Sequence, residues 1–169
     1  RDTLLTMSYM GTDAIVMRHS AEGAPLYATK AVDPIIINAG DGAHEHPTQA
    51  LLDMYSILEK KKSIEGLKVV ILGDIMHSRV ARSNIYGLTK MGADVHLAGP
   101  RTMVYPEFEK LGVTVHHDIR EAVADADVVN VLRIQLERIH SALYPTNREY
   151  ARIFGINNDV LKLAKDDVM

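Results

Sequence analysis

Four residues stand out because each follows a short apolar run: Arg18 after Asp13 to Met17, His46 after Ile35 to Asn38, Arg79 after Leu67 to Leu72, and Arg133 after Val128 to Leu132. A guanidinium stays charged at any physiological pH and offers a fork of donors that matches a carboxylate or a phosphate. Arg18, Arg79 and Arg133 at equivalent strand ends therefore describe a pocket for a small polyanion. Any one of them alone reads more simply as a solvated strand-end residue. Arg79 also opens a helix, whose first amides reinforce anion binding.

His46 precedes Pro47 at a second helix start, where the macrodipole disfavours an imidazolium and keeps the ring neutral. A neutral imidazole still donates one N–H, enough to polarise a carbonyl as negative charge develops on its oxygen. Helix capping is the competing reading of this residue. Gln49, one turn later on the same face, brings an amide that both donates and accepts. Asp41, Asp74, His77 and Ser78 are further polar residues just beyond strand ends.

Several other chemistries find no support. His44 and His46 flank Glu45, but one such pair supplies two ligands and no further cluster completes a shell, so no metal is expected. Gly73 follows a strand but continues as Asp74-Ile75-Met76-His77, without the Gly-x-Gly-x-x-Gly turn of a dinucleotide site. No Gly-x-Ser-x-Gly elbow and no phosphate-binding Lys loop occurs, and no cofactor is expected.

The elements that must position these groups alternate between apolar runs and helical periodicity, the pattern of parallel βαβ units, so the fold class is α/β with parallel sheets flanked by helices. Helices are predicted from about Asp2 to Met10, with Gly11 at the left-handed position beyond it, and from Pro25 to Ala31. A longer one runs from Pro47 to Lys62, with Leu51, Leu52, Tyr55 and Leu58 recurring at core spacing. Strands are predicted at Asp13 to Met17, Ile35 to Asn38, Leu67 to Leu72, Asp94 to Ala98, Val113 to His116 and Val128 to Leu132, the first and last of them buried. Helices around Ala81, Ile85 and Leu88, from Glu107 to Leu111 and from Glu121 to Ala126 lie between them. A turn at Pro145, a helix at Arg148 to Phe154 and another at Asp159 to Ala164, capped by Asn158, complete the chain. The boundary between two βαβ sets falls near residues 63 to 66, after the long helix.

Composition narrows the class. The chain has 169 residues, 47% hydrophobic, with 19 basic against 22 acidic side chains and a net charge of -3. That suits a globular protein with a real core and gives no basic surface for nucleic acid and no membrane segment. The run Lys60-Lys61-Lys62 reads as solvated charges favoured by a helix C-terminus. Zero cysteines exclude disulfides, thiolate metal sites and a Cys nucleophile, which fits a cytoplasmic setting.

Taken together, these segments resemble the carbamoyltransferase family. Asn38-Ala39-Gly40-Asp41-Gly42 followed by His46-Pro47-Thr48-Gln49-Ala50-Leu51-Leu52-Asp53 is similar to its signature in the aspartate-specific form, and ornithine enzymes typically carry Cys in place of Thr48. Val16-Met17-Arg18-His19, Ser78-Arg79-Val80-Ala81-Arg82-Ser83 and Leu132-Arg133-Ile134-Gln135-Leu136-Glu137-Arg138 agree as well. The resemblance implies two Rossmann-like domains, both incomplete here: residues 1 to 46 from the carbamoyl-phosphate domain, 47 to 62 an interdomain helix, and 63 to 169 most of the aspartate domain. It implies transfer of a carbamoyl group from carbamoyl phosphate to L-aspartate in pyrimidine biosynthesis. Arg18 and His46 would be the catalytic pair on carbamoyl phosphate, with Gln49 near its amide. Arg79 and Arg133, with Gln135 nearby, would hold the carboxylates of aspartate. A cytoplasmic homotrimer with shared active sites, with or without regulatory chains, is implied too.

Three family features are absent from these residues: the Ser-Thr-Arg-Thr phosphate motif, a Ser and Lys loop that reaches a neighbouring site, and a His-Pro-Gly-Pro or His-Pro-Leu-Pro segment. The chain also begins with Arg1. The expectation is a piece lacking both ends, without activity when isolated. Two alternatives stay open at this level: a non-catalytic α/β module that binds an anion in the Arg pocket, and a carbamoyltransferase acting on a different amine.

Overall fold

A computed structural model describes residues 1 to 134 and 146 to 169. The elements run α1 (Asp2–Tyr9), β1 (Ala14–His19), α2 (Ala24–Thr29), β2 (Ile35–Asp41), α3 (Pro47–Lys61), β3 (Lys68–Leu72), α4 (Arg79–Lys90), β4 (Asp94–Ala98), a 3-10 helix (Pro106–Leu111), β5 (Thr114–His116), α5 (Ile119–Val123), β6 (Val128–Val131), α6 (Asn147–Phe154) and α7 (Asn158–Leu161). Among the described residues, the named strands all pair in parallel. β1 lies beside β2, and a second sheet has the order β5-β4-β3-β6. The α/β class with parallel sheets and covering helices is therefore the fold of the chain.

The second sheet is covered on both faces, most fully at its central strand, as a parallel sheet requires. Its central strand β3 is a continuous apolar run whose side chains alternate between two cores. Val69 and Ile71 join Ile57, Ile64, Ile85, Leu88, Val95 and Leu97 on the α3 and α4 side. Val70 and Leu72 join Ala98, Ile119, Ala122, Val123 and Val160 on the α5 and α7 side. At the end of β3 the chain turns through Gly73 at φ +124, where a Cβ would stand 3.0 Å from the Leu132 carbonyl oxygen. The two strand ends thus approach as closely as backbone allows.

The first sheet differs. β1 buries only Ile15, and Val16 and Ile35 are about two-thirds exposed, at 67% and 68%. The predicted buried strand is therefore an exposed one, because no helix covers that face among the described residues. α3 shows a similar inversion. Its buried positions are Ala50 and Ile57, while Leu51, Leu52, Tyr55 and Leu58 face outward. Apolar spacing marks a stripe but does not say what lies against it, and here α4 takes the opposite side.

Smaller departures trace to local polar groups. α5 starts at Ile119 because Asp118 accepts the Arg120 N–H at 2.8 Å, and it ends before Asp125, whose φ is +55. α7 is capped by Asn157, not Asn158: its Oδ1 accepts from the Asp159 and Val160 amides, both at 3.0 Å. The segment at Pro106–Leu111 is a 3-10 helix. Lys61 is not a solvated charge, since its side chain is packed away and its Nζ meets Asp167 at 2.8 Å. The predicted turn at Pro145 lies outside the described residues.

This inversion on α3 gives a direct test. Leu97→Ala, at a fully buried position of β4, is expected to cost about 2 to 5 kcal/mol of stability, whereas Leu51→Ala is expected to stay within about 0.5 kcal/mol. Urea unfolding of the three chains measures both, and comparable losses would contradict the placement of α3.

Candidate functional site

The junction between the two sheets is built by the turn from β2 into α3. Asp41 ends β2 and is almost fully buried. Its Oδ2 accepts the Gly23 N–H at 2.8 Å and lies 3.1 Å from His44 Nδ1. Its Oδ1 accepts the Glu45 N–H at 3.0 Å and the Asn38 amide at 3.3 Å. Burial pushes this carboxyl up, but the bonds from Gly23, His44, Asn38 and Glu45 outweigh it and hold Asp41 below the ordinary carboxylate value. One ionised side chain thus organises the loop that delivers His46.

His46 is the residue before α3, and its ring does not cap the helix. Its backbone N–H donates to Ser83 Oγ of α4 at 2.9 Å, and Ser83 Oγ–H in turn donates to Glu45 Oε2. The ring Nδ1 lies 3.3 Å from Thr48 Oγ1. The capping reading therefore falls: Nδ1 meets the Thr48 hydroxyl and not a helix amide. Its pKa is lowered first by burial, then by the nearby charges of Arg79 and Arg18. Desolvation and two arginines account for a neutral ring more directly than the helix dipole does.

Arg79 opens α4 behind the Ser78 cap, whose Oγ accepts the Ala81 N–H at 3.2 Å. It is only 6% exposed, and its Nη1 donates to the Gly42 carbonyl at 3.0 Å across the junction. Gly40, at φ +116, makes room for it: a Cβ there would stand 2.8 Å from Arg79 Cζ. For this arginine the solvated strand-end reading is wrong. Arg18 is exposed at the end of β1 and close enough to act on His46 electrostatically. Gln49 sits on the first turn of α3, with Nε2 donating to Asp53 Oδ1 at 2.9 Å.

Arg18, His46 and Arg79 are thus brought into one electrostatic neighbourhood, with Gln49 three residues along α3. Arg133 follows β6, is exposed, and donates from Nη1 to the Ile134 carbonyl at 3.4 Å. It lies three residues beyond Asn130, whose amide approaches Asp53 at 3.5 Å. Gln135 lies outside the described residues. Among the described residues no group of three His, Asp or Glu side chains is arranged to hold a metal ion. What the residue reading missed is the polar framework: Ser83 with Glu45, and Asp53 with Asn84 and Asn130. Only Gln49 and Asp53, four apart on one helix face, carried a sequence signal for it.

Two family models match the chain. One described as the carbamoyl-P binding domain of aspartate/ornithine carbamoyltransferase matches residues 1–59. Another, described as the Asp/Orn binding domain, matches residues 65–169. The chain belongs to the aspartate/ornithine carbamoyltransferase family. It is 59% identical over 169 residues to an aspartate carbamoyltransferase catalytic subunit of Desulforamulus reducens, covering 100% of this chain and 54% of that relative. It is 61% identical to the subunit of the same name from Geotalea daltonii, covering 99% and 54%. The chain therefore spans about half the length of the curated relatives it matches. Among solved structures, aspartate transcarbamoylase of Trypanosoma cruzi in complex with carbamoyl phosphate aligns at a TM-score of 0.84 and 28% identity, over 99% of this chain and 56% of that one. Ornithine carbamoyltransferase of Pyrococcus furiosus aligns at 0.80 and 32% identity, over 99% and 56%.

Two measurements test the site in this family member. His46 is expected to titrate below its ordinary value of 6.5, and Arg18→Ala, which deletes one neighbouring cation, is expected to raise that pKa. The unfolded chain takes up the proton first, so the contribution of His46 to stability is intact above pH 6.5 and is lost as pH falls through the lowered folded value. NMR titration of the imidazole reads the shift directly, and an unchanged or lower pKa in the variant would refute the coupling. Gly40→Ala is expected to cost about 1 to 3 kcal/mol in thermal unfolding, both by straining a backbone at φ +116 and by setting a Cβ against Arg79; a neutral effect would contradict that conformation and that fit.

Proposed function

We propose that the protein transfers the carbamoyl group of carbamoyl phosphate to the amino group of L-aspartate, giving N-carbamoyl-L-aspartate and phosphate in pyrimidine biosynthesis. The observation that carries this reading is a neutral imidazole, His46, held at the junction of the two sheets between the charges of Arg79 and Arg18. The names of relatives at 59 to 61% identity support the aspartate substrate.

In this reading Arg18 and His46 contact carbamoyl phosphate, His46 donating to the carbonyl oxygen and Gln49 meeting the amide. Arg79 and Arg133, with Gln135, bind the carboxylates of aspartate. The amine nitrogen attacks the carbonyl carbon, the bond from that carbon to the phosphate oxygen breaks, and the departing phosphate accepts the amine proton. The activated substrate leaves the protein mainly orientation and charge stabilisation to supply.

The same reading makes residues 1 to 46 part of the carbamoyl-phosphate domain, 47 to 62 the interdomain helix and 63 to 169 the aspartate domain. It also places the protein in the cytoplasm as a homotrimer with shared active sites. The reading leaves open whether regulatory chains join that trimer.

The test is carbamoyl aspartate formation by the protein expressed at the full length of its relatives. His46→Ala is expected to lower kcat by about 100- to 1000-fold with a smaller change in KM, as for loss of one oxyanion donor. Arg133→Ala is expected to raise KM for aspartate while leaving that for carbamoyl phosphate near its starting value. Ornithine in place of aspartate should give no product. Native-like turnover in the His46 variant would remove its polarising role, and an unaltered aspartate dependence would remove Arg133 from the site.

A further inference from the structure

We infer that Asp53 is a positioning residue: it determines which end of the Gln49 amide faces the substrate. This rests on the reading of Gln49 as the contact to the carbamoyl group. Gln49 Nε2 donates to Asp53 Oδ1 at 2.9 Å. An ionised carboxylate only accepts, so the amide nitrogen must be the atom that faces it. The end left for a ligand is Oε1, an acceptor, and its matching group is an N–H donor such as the NH2 of a carbamoyl group. An amide free to rotate would as readily set its own N–H groups against those of the substrate.

Asp53 is itself aligned from outside α3. Asn84 Nδ2 of α4 donates to Oδ2 at 2.7 Å, and Asn130 Nδ2 of β6 lies 3.5 Å from the same oxygen. Asn84 is fully buried, and its Oδ1 has no hydrogen-bond partner among the described residues. Turning that amide over would aim its oxygen at a carboxylate, so the nitrogen is committed to Asp53 although the other end goes unsatisfied. The carboxylate is therefore fixed by α4 and β6 of the second sheet, and it hands that orientation to a side chain on the first turn of α3.

A double-mutant cycle at the full length of the relatives tests this. Asp53→Asn is expected to raise KM for carbamoyl phosphate about tenfold, the value of one hydrogen bond and its reversal, with KM for aspartate changed less than about twofold. In a Gln49→Ala background the same substitution is expected to add less than about twofold, because the amide it orients is gone. A merely structural role would be additive, and a further tenfold loss in that background would overturn the inference. So would an unchanged carbamoyl phosphate KM in the Asp53→Asn single variant. If Gln49→Ala alone leaves KM and kcat for carbamoyl phosphate unaltered, the reading of Gln49 fails and this inference fails with it; an effect of Gln49→Ala combined with additivity sinks the inference only. Should Asp53→Asn not fold, Asp53→Glu, which moves the acceptors outward by one methylene, is carried through the same cycle with the same requirement of non-additivity.

Discussion

A buried guanidinium sits where the two sheets meet, and much of the site depends on it. Arg79 belongs to the second sheet's first helix after β3, yet its hydrogen bond to the Gly42 carbonyl and its fit against Gly40 lie on the turn that leaves the first sheet. A charged group taken out of water must find partners or be strongly destabilising. Here that requirement acts as a geometric constraint: the chain at Gly40 and Gly42 has to approach α4 closely, and with it comes the start of α3. The same charge then acts on His46 and helps keep its imidazole neutral.

Around that contact the polar groups form a linked sequence. Asp41 gathers Gly23, Asn38, His44 and Glu45, fixing the loop after β2. Glu45 accepts from Ser83, and Ser83 accepts the His46 N–H, so α4 grips the residue that opens α3 from a second direction. Asp53 adds a third grip further along α3 through Asn84. The ties made by α4 cross between segments distant in the chain. The position of His46 is thereby over-determined, which suits the carbonyl-polarising role proposed for it.

Much of this was legible before any coordinates. The βαβ alternation, the six strands and the polar strand ends that make candidate ligand positions follow from apolar runs and the residues just beyond them, since parallel sheets bind ligands at their carboxyl edges. Arg18, His46, Gln49 and Arg79 could be named on that basis. What was not legible is how much of each element is covered. The stripe Leu51, Leu52, Tyr55 and Leu58 has core spacing, but Ala50 and Ile57 are the buried residues of α3, and Ile57 joins the core of the second sheet. Periodicity reports that a helix has two faces and is silent on which one meets a neighbour. Likewise Asn157 and Asn158 are chemically equivalent caps, and only the backbone path decides between them.

The polar framework was illegible for a different reason. Ser83 and Glu45 are 38 residues apart, and Asn84 is 31 residues from Asp53, so no local pattern marks either pair. In sequence, Ser83 and Asn84 look like ordinary polar positions on an amphipathic helix, yet both are buried against the junction. Their burial has a consequence for mobility. A serine and an asparagine placed under α3 hold it by hydrogen bonds with direction, where leucines would hold it by packing that tolerates sliding. Sliding α3 by one residue would break the Ser83 and Asn84 bonds together, so the start of α3 should move with α4 as one unit.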